Sequence, residues 1–589
     1  MKNKEFWFIF SFIIMYLIPL LIGNLYYYDD LYRAYLGYMS WDTDGRPFAN
    51  LFYFVLTFGQ TLPDIYPIPL LLGVAFYSYV GFLYARTNGF KFSIGFILSY
   101  AMLIMNPLFI SNLLFRYDSS FMVIALTLCV VPYSLTLKKW NAYIIGTAAL
   151  ITSFGLYQAA ISVFIALAGI ELVLNTTNKS IRDAILICFE RVSQLIISYL
   201  FYSHIILNAF SINDYFKSFN KMIEFSSAGI GVLLQNINSS LYNLKLTFSS
   251  GMIIAITPVA IAFLACLIAY TFKNKKLSVL FAVLIGSIAV TLSIPGIAIF
   301  GENPVFYSRI YIGLGAALMF ITLMPSILKY NNKYCTYCTV ILSFYLFTVM
   351  SSVMNSVRAD TSYQNDISQR IISAINNNHM AESGNIMIIG QSRHSPVTSI
   401  NILSFPVIKI ISPTYFIDKF DGGRFILMHN GLDMVQYPNQ KMAEELRKDI
   451  IKASPVYADN MFSLFNINGM PVVSFEHTIY DEVNKKSDSM TLPGGALSNV
   501  HVSENYFYAC INNTSHPELR RNEWYYLLLH MNNGDVLNKN FLSLSLIRKE
   551  NSSCVVNKWD EAINLKDLKS IEFGIYNTKS MERRSQYTN

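Results

Sequence analysis

Tyr26-Tyr27-Tyr28-Asp29-Asp30-Leu31-Tyr32-Arg33 follows directly on the apolar run from Phe6 to Leu25, and Trp41-Asp42-Thr43-Asp44-Gly45-Arg46-Pro47 comes shortly after. The run has about the 20 residues that a helix needs to cross a bilayer core. Behind it, four aspartates and two arginines crowd one loop in a chain that is only 14% charged. Such a loop at a membrane surface reads as a place where a carboxylate meets a hydroxyl and a guanidinium meets a phosphate, at the mouth of a lipid-filled cleft.

The rest of the chain supports a membrane setting. Of its 589 residues, 53% are hydrophobic and 15% aromatic, and the mean hydropathy is +0.39. That is too apolar for an ordinary soluble protein and fits a multi-span protein with a soluble part attached. The net charge of +7 comes with lysines and arginines gathered in short loops. This is topology rather than the basic face of a nucleic-acid binder, and no nucleic-acid partner is expected.

Apolar segments near 6–25, 65–85, 92–114, 119–137, 141–157, 159–174, 185–207, 252–272, 277–299, 309–328 and 335–354 predict about eleven transmembrane helices. The stretch 141–174, interrupted only by Gly155 and Gln158, reads either as two short spans or as a re-entrant segment. Every alternate loop is basic: Lys2 and Lys4, Arg86 and Lys91, Lys138 and Lys139, Lys179 and Arg182, Lys273 to Lys276, Lys329 and Lys333. By the positive-inside rule these loops and the N-terminus are cytoplasmic. The first span reads as a retained signal anchor. Loops 26–64, 115–118, 208–251 and 300–308, with everything after about 355, then share the outer side. Within 208–251, Tyr215, Phe216, Phe219, Met222 and Ile223 recur at helical spacing, which predicts a helix lying in the interface. Glu190 and Arg191, inside a span, read as a mutually paired couple.

After Asn355 the composition changes. A helix is expected over 360–378, strands at Gly384–Gly390 and Val407–Ile411, and a helix from Gln440 to Lys452. A hairpin from Ser463 to Phe475 turns at Asn468-Gly469. Residues 355–475 thus read as a small α/β domain and 476–589 as a β-rich one, behind a membrane domain over 1–354. Cys335 and Cys338 read as ordinary apolar cysteines. Cys510 and Cys554, the two cysteines of the C-terminal part, can pair if that part faces an oxidising compartment.

The candidate chemistry lies on the outer side. Asp29, Asp30 and Asp118 are the candidate bases. Neighbours on a helix point about 100° apart, so one of Asp29 and Asp30 faces a cleft. The same pair could hold a divalent cation, Mg or Mn, or merely cap a juxtamembrane helix. Arg33 either pairs with them or, with Arg46, Arg116 and Arg309, binds a phosphate. Asp44, Tyr157, Gln158 and Glu302 complete the set expected to hold donor or acceptor, with Tyr157 and Gln158 placed to hydrogen-bond a sugar.

One span followed by Tyr28-Asp29-Asp30-Leu31-Tyr32-Arg33, then Trp41 and Gly45-Arg46-Pro47, resembles the Gtr-type O-antigen glucosyltransferases, the serotype-converting integral membrane enzymes. The resemblance covers about residues 1–350. It implies a GT-C fold and a polyprenyl-phosphate sugar donor, here undecaprenyl-phosphate glucose. It also implies an acceptor in the O-antigen of lipopolysaccharide, reached from the periplasmic face of the bacterial inner membrane, with a catalytic acid in the first outer loop. The C-terminal part would be periplasmic and handle the acceptor, with Trp524, Tyr525 and Tyr526 as stacking residues. The competing readings are a flippase or transporter for a lipid-linked sugar, and a GT-C transferase or polymerase with a different acceptor. A transporter needs polar groups near the midplane, whereas the charges here sit at span ends.

Overall fold

The computed structural model describes the chain apart from residues 1–3, 180, 215–216, 218–220, 225, 331–332, 419, 433–435, 451–452, 477–489, 492–496, 505, 513–521, 542–545, 550–551, 559–562 and 589. It divides into two units. The first holds Met1–Arg358 and Ser404–Ser412, the second Ala359–Leu403 and Pro413–Asn589.

The first unit is helical. Its N-terminal part runs α1 (Lys4–Gly23), α2 (Asp29–Leu36), α3 (Pro47–Thr57), α4 (Ile68–Thr87), α5 (Ile94–Ala101), α6 (Ile110–Leu114), α7 (Ser119–Val130), α8 (Lys139–Leu156), α9 (Ile161–Asn178) and α10 (Ile181–Phe201). Helices Ser227–Thr247, Ser250–Asn274, Leu277–Ser293 and Gly313–Ile327 follow, and Lys333–Asn377 leads into the second unit. Among the described residues, six helices are long and apolar enough to cross a membrane: Lys4–Gly23, Ile68–Thr87, Gln158–Asn178, Ile181–Ala209, Ser250–Asn274 and Lys333–Asn377. α1 is apolar on both faces. It buries Ile9, Ile13, Tyr16, Leu17 and Leu20 and exposes Trp7, Phe8, Met15, Ile18 and Ile22, as a helix does when its outer side meets lipid.

Several expected spans take a different form. Segment 92–114 is not one helix but α5, a 3-10 turn at Pro107–Phe109 and α6. Pro107 has no N–H to continue the ladder. Asn106 caps the new start by accepting from the Leu108 N–H (3.0 Å) and donates to the Tyr311 carbonyl (2.8 Å). Segment 141–174 is two helices, α8 and α9, parted by extended Tyr157. The expected span 335–354 and the expected helix 360–378 are one helix of 45 residues, because no glycine or proline falls between them. Residues 215, 216 and 219 of the expected interface helix lie outside the described residues. Met222 and Ile223 are extended instead, bridged to Gly301 and Phe300. Arg191 pairs not with Glu190 but with Glu171 of α9, through two 2.8 Å bonds, while Glu190 meets Lys139 at 3.6 Å. Adjacent helical residues do not face each other.

A close helix crossing sets α9 on Leu277–Ser293. A Cβ on Gly286 would lie 2.8 Å from the Gly169 carbonyl oxygen, and one on Gly169 2.9 Å from that of Gly286. Helices without a water-driven hydrophobic force between them depend on such close backbone approach. Gly286→Val is therefore expected to force the pair apart and lower the thermal transition of the detergent-solubilised protein, at an overpacking cost of about 1–3 kcal/mol. An unchanged transition would mean that this crossing contributes little.

The second unit begins with a four-stranded sheet ordered β1-β4-β3-β2, from β1 (Met387–Ile389), β2 (Tyr457–Ala458), β3 (Ser463–Ile467) and β4 (Met470–Ser474). β1 runs parallel to β4 and the other pairs are antiparallel. The β3–β4 hairpin turns at Asn468 and Gly469, both at positive φ, as an Asn-Gly turn requires. The expected strand Val407–Ile411 is instead a 3-10 helix, Pro406–Ile410, which belongs to the first unit. The leading Pro406 supplies a fixed φ suited to a helical first turn and no ladder donor.

Two antiparallel sheets follow, ordered β10-β11-β7-β6-β5 and β13-β12-β8-β9. Their strands are β5 (Met490–Thr491), β6 (Leu497–Val502), β7 (Tyr506–Asn512), β8 (Glu523–Met531), β9 (Val536–Phe541), β10 (Leu546–Lys549), β11 (Ser552–Lys558), β12 (Leu568–Asn577) and β13 (Arg583–Thr588). Val502 and Phe507 of one sheet share a core with Tyr525, Leu527, Ile571 and Phe573 of the other, so the sheets pack face to face. Tyr525 stacks on Phe573, and Tyr526 is buried with its hydroxyl on Glu572. Both are core residues rather than open stacking platforms, while Trp524 is half-buried. The β7–β11 register sets Cys510 opposite Cys554.

Candidate active site

The aspartate-rich loop is built around Asp30. The chain leaves α1 through Asn24 and enters α2 through Tyr28, both at positive φ. This reversal puts Asp29 and Asp30 in the first turn of α2, where the helix dipole favours carboxylates. Asp30 is fully buried. Its carboxylate accepts the backbone N–H groups of Tyr27 (3.1 Å), Arg116 (2.7 Å) and Tyr117 (3.3 Å). It thereby ties the first loop to the turn before α7. Burial raises its carboxyl above the usual range, and the three N–H groups oppose that shift. Asp29, one residue earlier, points elsewhere. Its side chain is 55% exposed and lies 4.0 Å from Arg309 Nη1.

Asp118, just before α7, is the second buried carboxylate. Trp41 donates its indole N–H to Oδ1 (3.0 Å), Arg46 Nη1 approaches Oδ2 at 3.4 Å, and Arg33 Nε stands 4.0 Å from Oδ1. Burial raises this carboxyl while Arg33 and Arg46 pull it down. The guanidinium of Arg33 lies over the Trp41 ring at 4.2 Å and donates to the carbonyls of Tyr38 and Met39. Arg46 lies over Tyr157 at 5.2 Å. The Tyr157 hydroxyl and the Asn112 amide each donate to the Arg309 carbonyl, at 3.1 Å, and the Arg309 guanidinium packs over Phe115 and Tyr307.

One cluster thus gathers Asp29, Asp118, Arg33, Arg46, Arg309 and Tyr157. Three guanidinium groups against two carboxylates leave one positive charge in excess. Nε of Arg33 and Nε of Arg46 are buried with no hydrogen-bond partner. In a folded chain such donors are normally satisfied, so here donor capacity is left over for a ligand that accepts hydrogen bonds.

The remaining expected residues go elsewhere. Arg116 does not pair with Asp118. It binds Asp64 (2.7 Å) and Asn24 (2.7 Å) and is flanked by the Tyr26 and Tyr66 rings. Asp44 accepts from Asn213 (2.6 Å), and Glu302 pairs with Lys221 (2.7 Å). Gln158 donates to the Gly45 carbonyl (2.9 Å) and to the Tyr202 hydroxyl (2.7 Å). Asp64, Asn112 and Tyr202 carry no motif or spacing that marks them in the sequence. Among the described residues, no three His, Cys, Asp or Glu side chains gather as metal ligands. With arginines flanking both carboxylates, the donor set does not suit a divalent cation.

A protein of Salmonella phage P22, described as an uncharacterized 55.3 kDa protein in the gtrB 5′ region, is 27% identical over 241 residues. The match covers 40% of this chain and 49% of that protein, so the chain spans about half the relative's length. No solved structure matches the chain. The model of the family described as Glucosyl transferase GtrII matches residues 18–325, a stretch that contains Asp29, Asp118 and all three arginines of the cluster. The chain belongs to the GtrII glucosyl transferase family.

Proposed function

We propose that the protein transfers a hexose, glucose, from undecaprenyl-phosphate-glucose to the O-antigen of lipopolysaccharide at the periplasmic face of the inner membrane. The observation that carries this reading is the pairing of a half-exposed carboxylate, Asp29, with a cluster holding one excess positive charge and unsatisfied guanidinium donors. A prenyl phosphosugar is a phosphodiester with a single negative charge, which that excess matches. Loops flanked by apolar helices suit a donor whose tail stays in the bilayer.

Transfer is one displacement at the anomeric carbon. The acceptor hydroxyl gives its proton to Asp29 as its oxygen bonds to that carbon. The bond from carbon to phosphate oxygen breaks, and its electron pair leaves with the prenyl phosphate. The phosphate therefore gains charge as the bond breaks, and donors aimed at it act more strongly on the transition state than on the bound donor. Arg46 and Arg309 take that role, and Asp118 and Trp41 hold Arg33 and Arg46 in place. Membrane transfer is assigned to residues 1–354. The periplasmic regions 355–475 and 476–589 are assigned to handling the acceptor.

A transfer assay tests this reading. The protein in lipid nanodiscs is expected to move glucose from undecaprenyl-phosphate-glucose onto O-antigen lipopolysaccharide, with and without chelator. Arg309→Gln is expected to lower kcat by about 10²–10³-fold, as removal of a donor to a developing oxyanion does. Failure with a panel of polyprenyl-phosphate sugars and acceptors, from folded protein, would sink the proposal and favour transport of the lipid-linked sugar.

A further inference from the structure

The carbonyl of Gly45, immediately before Arg46, is held by two side chains from distant parts of the chain. Gln158, between α8 and α9, donates to it at 2.9 Å, and the Tyr202 hydroxyl donates to it at 2.7 Å. The same Gln158 amide also donates to the Tyr202 hydroxyl at 2.7 Å, which closes a triangle. Gly45 sits at φ +69°, in the left-handed region. The loop around it closes on itself through Gly45 N–H to Asp42 O and Arg46 N–H to Trp41 O. Fixing the Gly45 carbonyl therefore fixes the peptide plane from which Arg46 departs.

Tyr202 is itself positioned. It opens a π-helical turn, Tyr202–Ile206, at the end of α10, and its ring stacks on Phe154 of α8 at 5.3 Å and 16°. Such turns inside helices recur at functional sites because they re-aim a side chain. A ring already anchored by Phe154 does not need its hydroxyl to stay in place. The hydroxyl is spent on the loop.

We infer that Tyr202 and Gln158 are positioning residues for Arg46, a clamp that presets its guanidinium for the phosphate of the lipid-linked donor. This rests on the role given to Arg46 above. It also moves Gln158 away from a contact with sugar, because the amide donor expected to reach a hydroxyl of the substrate is engaged by Gly45 and Tyr202.

The test uses the full chain in nanodiscs with undecaprenyl-phosphate-glucose. Tyr202→Phe keeps the stacked ring and removes the hydroxyl. It is expected to lower kcat/KM for the donor about ten-fold, the loss of about one buried hydrogen bond, with the thermal transition unchanged. Gln158→Glu, which withdraws the amide donor, is expected to do the same. The decisive arm is non-additivity: in an Arg46→Gln background, Tyr202→Phe is expected to cost nothing further, because a clamp acts only through the residue it holds. A full ten-fold loss in that background would overturn the proposal, as would wild-type kcat/KM in both single variants. Loss of folded protein in both would assign the triangle to stability and overturn it too. Failure of the underlying reading looks different: wild type inactive with every polyprenyl-phosphate sugar, or Arg46→Gln fully active, and the clamp falls with it.

Discussion

Asp29→Asn is expected to abolish glucosyl transfer, with kcat down by about 10²–10⁴-fold, while the protein folds and binds donor as before. The size follows from the task. An acceptor hydroxyl is a poor nucleophile until a base takes its proton, and asparagine cannot accept one. The specificity follows from the geometry. The Asp29 side chain is 55% exposed and its nearest guanidinium, on Arg309, is 4.0 Å away, so its loss removes little that stabilises the fold. Asp118 is the other carboxylate of the cluster, but Trp41 and two arginines occupy both of its oxygens. A carboxylate so engaged is a counter-ion that keeps Arg33 and Arg46 apart and aimed. The check is a single-turnover assay beside a thermal melt. Transfer at the wild-type rate by folded Asp29→Asn would remove Asp29 from the chemistry and turn attention to Asp118.

The sequence brought the reading as far as the loop. An apolar run of spanning length, followed by aspartates and arginines crowded together in a chain that is only 14% charged, points to a candidate site because burying charge near a membrane is costly and is kept for use. It could not separate Asp29 from Asp30. Adjacent residues share a motif, and what parts them is a backbone reversal at Tyr28 that points one carboxylate at Arg309 and the other at three N–H groups. Nor could it separate Arg116, which is locked on Asp64, from Arg309, because partners far apart in the chain leave no spacing to read. Hydropathy found the apolar segments but not their breaks. The turn at Pro107 was readable from its proline, yet the Asn106 bond to Tyr311 that holds it joins residues 205 positions apart in the first unit. The fusion of two expected helices into Lys333–Asn377 was readable too, from the lack of any breaker, but the drop in hydropathy near Asn355 masked it. In the second unit, the hairpin at Asn468-Gly469 was legible because Asn-Gly imposes its own turn. The strand expected at Val407–Ile411 was not, because a β-branched run fits a strand equally well until Pro406 and its surroundings decide.

Asp30→Asn is expected to fail in the opposite way, with much less folded protein and near-normal turnover per folded molecule. Both carboxylate oxygens of Asp30 are in use, one on two N–H groups and the other on a third. An asparagine can serve one set with its carbonyl, but its NH₂ then meets the remaining N–H, donor against donor. Each buried donor stranded in this way costs about 1–3 kcal/mol, and the three donors belong to two loops, 26–30 and 115–118, whose other shared carboxylate, Asp64, holds them through the Tyr26 and Arg116 side chains and not through the backbone. The weakened tie loosens the turn that carries Asp118, and the two donors set against each other cost about 2–6 kcal/mol of the 5–15 kcal/mol or so that a domain has in hand. The measurement is the monodisperse fraction on size exclusion and its melting point, with transfer normalised to that fraction. A well-folded Asp30→Asn protein without activity would put the base at Asp30 and contradict the assignment to Asp29. Poor folding with preserved specific activity would leave Asp30 as the structural half of the aspartate pair and Asp29 as the chemical half.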